Sequence, residues 1–245
     1  MAFILQRNTQ SYQTKIQGKG WRAIETADVI VCDALVSSAL MAEVPAHIRR
    51  IYVGKLKGHH SMQQADISAL LVEQARLGAR VARLKGGDSL VFGRLGEELD
   101  ALEDAGIGYQ IIPGITAAAG CAASLKMPLT ERGVANKLRL VTAHSCDDTT
   151  IDWAGLAQTD ETLVFYMGLS MAEHISARLI EHGLAPEWPV ALVQSASCPA
   201  ERTVITTLEH MAADRHRHQL TSPTLIVVGR VVRRACTLST VRQSA

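Results

Sequence analysis

The chain has 245 residues, 47% hydrophobic and 20% charged, with a formal net charge of +1; this is the composition of a globular protein able to bury one large or two small cores, and it argues against disorder. No apolar run approaches the roughly 18 to 20 residues that a bilayer span needs, and no basic start with a long apolar run marks a secretory signal. The near-neutral charge argues against a general polyanion binder and leaves room for a local basic cleft, so the expectation is a cytoplasmic protein without membrane or nucleic-acid partners.

Residues 2–5 read as a first strand, followed by a polar stretch to residue 17, and 20–27 as a helix. The pattern then gives a strand at 29–32 ending at Asp33, a short helix at 35–41, and a strand at 51–53 running into a loop of glycine and cationic groups, Gly54 to His60. Between 63 and 77, Ile67, Leu70, Leu71 and Leu77 recur at helical spacing, which predicts an amphipathic crossover helix. It leads to a strand at 81–84, a helix at 97–105 stopped by Gly106, and a strand at 109–112. Pro113-Gly114 breaks the alternation, which places a domain boundary there: 1–113 and 114–245. Beyond it the pattern gives a small-residue helix at 117–124, strands at 138–142 and 162–166, a helix at 171–182, strands at 190–193 and 203–207, a helix at 208–213 and a strand at 224–228. Two α/β domains with a cleft between them, the second built on a mixed sheet, is the expected fold class.

The stretch 81–99, VARLKGGDSLVFGRLGEEL, is a strand, a loop and a helix start in order. In an open α/β sheet such a loop lies at the carboxyl end of a strand, where free backbone amides and helix N-termini make ligand sites. Gly86 and Gly87 would let a ligand lie against main chain where a Cβ would collide with it. Gly-Gly-Asp is also an ordinary tight-turn composition, and the three residues alone leave both readings open.

Cys32, Cys121, Cys146, Cys198 and Cys236 are scattered singly, with no C-x-x-C pair, as expected for reduced core cysteines of a cytosolic protein. His59-His60 is the one adjacent histidine pair, and neighbours in sequence rarely point at one metal, so no metal site is expected.

Several separated stretches together resemble the tetrapyrrole (corrin/porphyrin) methylases, and within them most the uroporphyrinogen-III C-methyltransferase branch: Leu84-Lys85-Gly86-Gly87-Asp88 with Val91-Phe92-Gly93-Arg94 and Glu97-Glu98; Pro113-Gly114-Ile115-Thr116-Ala117; Pro128-Leu129-Thr130 with Arg132-Gly133-Val134; TLVFYMG at 162–168; and SPTLIVVG at 222–229. The resemblance runs in register from about residue 18 to 232. It implies a class III methyltransferase of two α/β domains, usually a homodimer, that moves methyl groups from S-adenosyl-L-methionine to two carbons of uroporphyrinogen III, giving precorrin-2 on the way to sirohaem, cobalamin or haem d1.

A sulfonium methyl is already activated, so the protein has mainly to align donor and acceptor and exclude water. Carried over position by position, the resemblance implies a donor trough of Gly86, Gly87, Asp88 and Val91 with Thr116, Ala117, Met167 and Ala196. Asp88 would accept from the donor's amino group or ribose, or else cap its own turn; Met167 would pack on adenine, or else fill core beside Phe165. The acceptor carries eight carboxylates, which Arg94, Arg132 and Lys55 would grip unless they are solvated surface charges. Asp33 matches the family's proposed proton acceptor and Lys55 its proposed donor, while Arg94 and Glu97, one helical turn apart, match a pair that handles substrate. A guanidinium holds its proton too tightly to act as a base, so Arg94 would bind a propionate or acetate with Glu97 orienting it.

The sequence also departs from the family. Leu5 to Ser11 has no glycine or proline where the family has a Gly-Ala-Gly-Pro-Gly-Asp loop, Ser89-Leu90 replace Pro-Phe, and Glu131 replaces a histidine. Another precorrin methyltransferase, or a tetrapyrrole-binding homologue that does not catalyse, therefore stays beside the main reading. An RNA methylase of the same fold is disfavoured by the lack of a basic, aromatic-rich strip.

Overall fold

The computed structural model describes residues 2–6, 18–54, 62–143 and 151–235, and it divides into two compact units, Met1–Thr116 and Ala117–Ala245. Among the described residues no helix is long and apolar enough to cross a membrane.

The first unit alternates β1 (Ala2–Gln6), α1 (Gly18–Glu25), β2 (Val29–Cys32), α2 (Ser38–Glu43), β3 (Arg49–Tyr52), α3 (Gln64–Arg76), β4 (Val81–Lys85), α4 (Leu95–Asp104) and β5 (Tyr109–Ile111). All pairings in its sheet, ordered β3-β2-β4-β1-β5, are parallel. A parallel sheet is covered by helices on both faces, and β2 and β4 are buried throughout. Side chains alternate between two cores along these strands. Ile30, Cys32, Ala82 and Leu84 pack with Ile24 of α1 and Leu40 of α2, whereas Val29, Val31 and Val81 pack with Ile67 and Leu71 of α3 and Leu102 of α4. Arg83 and Lys85 have the parity of Val81, and so emerge on the side of α3 and α4.

The second unit contains α5 (Ala117–Ser124), β6 (Lys137–Thr142), α6 (Trp153–Leu156), β7 (Glu161–Tyr166), α7 (Ala172–Glu181), β8 (Pro189–Gln194), β9 (Arg202–Thr207), α8 (Met211–Arg217) and β10 (Thr224–Val228), with 3-10 turns at Leu169–Met171 and Arg230–Val232. Its sheet, ordered β6-β7-β10-β8-β9, is mixed: β6 and β7 are parallel and the other pairs antiparallel. Leu163, Phe165, Val190 and Leu192 face one core with Ile175 and Leu179 of α7, and Val164, Ala191 and Val193 face another with Ala118 and Cys121 of α5.

Two helices begin later than the pattern predicts. The helix expected from residue 35 starts at Ser38 because the Ser37 hydroxyl accepts the Leu40 amide as an N-cap, and the Asp33 carboxylate takes the Leu35 amide into a turn instead. The helix expected at 208–213 is Met211–Arg217, because the amides of Leu208 and Glu209 donate to the carbonyls of Trp188 and Pro186. The single turn α6, not anticipated, is capped by Asp152 through the Gly155 amide.

Leu102 is fully buried where α4 meets the sheet. Leu102→Ala should cost about 2 to 5 kcal/mol of unfolding free energy, read as a lower urea midpoint at unchanged slope.

Candidate active site

The carboxyl end of the first sheet collects most of the candidate residues. The loop that follows β2 carries Asp33, Ala34 and Leu35, and glycines flank it on both sides. A Cβ on Gly54, after β3, would collide with Ala34; one on Gly86, after β4, would lie 2.5 Å from the Leu35 Cβ. Gly86 therefore makes room for the protein's own Leu35. Gly87 is needed for a different reason, its φ of +76°, a left-handed conformation that a Cβ penalises. Both glycines have internal causes, so the expectation that they clear space for a ligand is not what demands them. Asp88 performs the local role weighed for it: Oδ1 accepts the Leu90 amide at 2.8 Å. Val91, half-buried, closes the same turn by donating to the Asp88 carbonyl at 3.0 Å. Phe92 (φ +51°) and Arg94 (φ +52°) are also left-handed without being glycine, a strain of about 1 to 3 kcal/mol each that clusters at functional loops. Leu35, Leu90 and Phe92 are exposed.

Beneath this loop lies a buried charge network. Glu98 of α4 is 0% exposed, and its Oε1 accepts from Lys85 Nζ at 2.8 Å, from Arg83 Nε at 3.2 Å and from Gln64 Nε2 at 3.1 Å. Arg83 also donates through Nη1 to the Leu84 carbonyl at 2.8 Å, and its Nη2 stands 3.5 Å from Asp33 Oδ2. Burial pushes the Lys85 ammonium below its ordinary value, with Arg83 adding to the effect and Glu98 opposing it. Burial likewise pushes the Cys32 thiol up, with the neighbouring Asp33 carboxylate adding to the shift. Sequence reasoning missed Arg83 and Glu98; the available signal was a pair of cations two residues apart in a strand otherwise apolar.

Arg94 and Glu97 form an exposed bidentate pair, Nε to Oε1 and Nη2 to Oε2, both at 2.7 Å. The guanidinium holds the Glu97 carboxyl below the usual carboxylate range, and Nη1 is not engaged in that pair.

In the second unit, Ala117, Tyr166 and Ala196 pack against one core. The Ala118 amide donates to the Tyr166 hydroxyl at 2.9 Å, and the Ser197 hydroxyl to the Gly120 carbonyl at 3.0 Å. The start of α5, the end of β7 and the loop after β8 are thereby held together. Met167, Ser195 and Ser197 there have left-handed backbones, and Met167 is 49% exposed, which removes the reading of Met167 as core filler. Arg132 is exposed, on a loop closed by the Glu131–Ala135 bridge, by Arg230 donating to the Val134 carbonyl, and by the Glu131–Arg234 ion pair, which gives the unusual Glu131 a local partner. Thr116 is the last residue of the first unit. Lys55, the rewritten stretch from Arg7 to Ser11, His59, His60, Cys146 and Cys236 lie outside the described residues. Cys32, Cys121 and Cys198 are free thiols; burial pushes that of Cys121 up to about 12, with Glu201 adding. Among the described residues no three His, Cys, Asp or Glu side chains are grouped to hold a metal ion.

A cobalt precorrin-4 methyltransferase shares the fold at a TM-score of 0.82 and 20% identity, over 94% of this chain and 95% of that one, so the two have a common architecture. A family model for tetrapyrrole (corrin/porphyrin) methylases matches residues 18–212, and the chain belongs to that family. A uroporphyrin-III-C-methyltransferase from Thermus thermophilus is 34% identical with a TM-score of 0.76, covering 94% of this chain and 92% of that one. A structure of that enzyme complexed with S-adenyl homocysteine is 32% identical with a TM-score of 0.79, covering 95% and 93%. The siroheme synthase of Edwardsiella ictaluri is 49% identical over 214 residues, which are 87% of this chain and 46% of that protein; siroheme synthase 2 of Cronobacter sakazakii is 47% identical over the same shares. The chain thus spans about half the length of the curated relatives it matches.

Gly86→Ala should push the Leu35 loop aside and cost about 1 to 3 kcal/mol in a denaturant melt. In Arg94→Ala the Glu97 carboxyl should titrate at higher pH than in the native protein, approaching its ordinary value of 4.5, as followed by carboxyl NMR.

Proposed function

We propose that the chain uses S-adenosyl-L-methionine to methylate two carbons of uroporphyrinogen III, giving precorrin-2. The observation that carries this reading is the grouping of Asp33, the Gly86-Gly87-Asp88 turn and the Arg94–Glu97 pair along the carboxyl end of one parallel sheet, the edge where α/β sheets bind ligands. Likeness to an enzyme crystallised with S-adenyl homocysteine supports the choice of donor.

The donor supplies an electrophilic methyl group when bound. The residues assigned to it by family resemblance are Gly86, Gly87, Asp88, Val91 and Thr116 in the first unit, and Ala117, Ala196 and the exposed thioether of Met167 in the second. Arg94 offers its remaining guanidinium donors to a substrate carboxylate while Glu97 fixes the fork, and Arg132 and Lys55 supply further cations. Attack by a pyrrole carbon places positive charge on the macrocycle. The sulfur leaves as a neutral thioether; Asp33 stabilises the charge and accepts the one proton lost per methyl gained, and Lys55, matched to the family's proposed proton donor, serves only a proton shift within the macrocycle that leaves its charge unchanged. A homodimer in the cytoplasm, with precorrin-2 passing to sirohaem, cobalamin or haem d1, completes the reading by family resemblance.

Incubation with uroporphyrinogen III and labelled donor under anaerobic, reducing conditions should add two methyl groups by mass spectrometry; no incorporation overturns the reading. Calorimetry with S-adenosylhomocysteine should show micromolar binding, and absence of binding at millimolar ligand favours the non-catalytic carrier, the reading that the rewritten stretch from Leu5 to Ser11 keeps in view. Asp33→Asn should lower the transfer rate by about two orders of magnitude or more while S-adenosylhomocysteine affinity stays within about twofold.

A further inference from the structure

The mechanism proposed above asks nothing of Glu98, although it is the most deeply buried carboxylate of the first unit's network. A buried ion pair is a poor route to stability alone, because apolar residues of similar volume often serve as well or better, so what Glu98 holds in place is informative. Its Oε1 is shared by Lys85, Arg83 and Gln64, while Oε2 has no hydrogen-bond partner among the described residues. Of these neighbours, Arg83 reaches onward: Nε faces Glu98 at 3.2 Å and Nη2 faces Asp33 Oδ2 at 3.5 Å, a contact longer than a hydrogen bond. Arg83 is itself 3% exposed, and its Nη1 is tied to the Leu84 carbonyl. The guanidinium is therefore held on three sides, and the side that Glu98 holds determines how closely it leans on Asp33.

We propose that Glu98 is a positioning residue for methyl transfer: by drawing Arg83 back into the sheet it keeps Asp33 oriented by the Leu35 amide and only loosely paired, and so able to take up a proton. With Glu98 neutral, Arg83 has Asp33 as its remaining carboxylate in this network and closes on it, and a carboxylate gripped by a guanidinium is a weaker base. Lys85 ends on Glu98 and does not reach Asp33 in the same way, so its part is to balance charge.

The inference rests on the proposed role of Asp33, and the test separates the two. Glu98→Gln keeps the shape and removes the charge. It should lower kcat by about tenfold or more while the KM for S-adenosylmethionine stays within about twofold, whereas the same change made in Asp33→Asn protein should lower kcat little further, because it acts through Asp33. Glu98→Gln with Lys85→Met restores charge balance and guards against loss of folding; that double variant should melt near the native temperature and remain slow. Recovery of native kcat in the double variant, or additive effects of the Glu98 and Asp33 changes, overturns the proposal. The same cycle read in melting temperatures needs no activity: non-additive shifts support a link from Glu98 to Asp33, and additive shifts overturn it. Native protein that transfers no methyl group sinks the functional reading instead, and the melting cycle then still decides the link.

Discussion

Two cations on a strand covered from both faces need a counter-charge without help from water, and in the first unit Glu98 supplies it. Arg83 and Lys85 point to the α3 and α4 side of β4 because of strand parity, and α4 must then place a carboxylate within reach of both. That requirement fixes the approach of α4 to the sheet. Through α4 it fixes where the chain between Gly87 and Leu95 can run, including the left-handed residues Phe92 and Arg94. The edge that carries the candidate residues is thus built from beneath, by a buried ionic joint, and from the sides, by the seating of the β2 loop between Gly54 and Gly86.

The two units reach comparable order by different means. In the first, parallel strands with helices on both faces leave one edge rich in loops, where backbone and charge gather. In the second, antiparallel pairs around β10 carry most of the sheet, and the loops of interest are pinned by single polar contacts, Tyr166 to Ala118 and Ser197 to Gly120. Small residues along α5 (AAAGCAAS) let that helix lie close to the sheet, which brings Ala117 and Ala196 to the same core.

Much of the fold is legible in the sequence where hydrophobic pattern and punctuation agree. Val29–Cys32, Ala117–Ser124 and Thr224–Val228 have the limits that their composition marks. Pattern alone misplaced helix starts where a single polar contact decides, as with Ser37 and with the carbonyls of Trp188 and Pro186, since such contacts depend on which segments meet in space. The candidate site shows in the sequence as a set of motifs. What the motifs could not convey was the reason for each residue: Gly86 faces Leu35, Asp88 binds its own turn, and Arg94 is already paired. Arg83 within the strand and Glu98 within the Glu97-Glu98 run carried no role of their own in the sequence, and only three-dimensional proximity shows their connection.

The seating of Ala34 and Leu35 between two glycines also ties neighbouring loops into one mechanical unit. Three consecutive positions across the sheet, the turns after β3, β2 and β4, share contact surfaces with no slack for even a methyl group at Gly54 or Gly86. A shift in any of them is passed to the next rather than absorbed. Sequence drift along this edge is accordingly constrained to move in concert: enlarging one partner calls for trimming its neighbour, and an inserted residue in the middle turn would displace both flanks together.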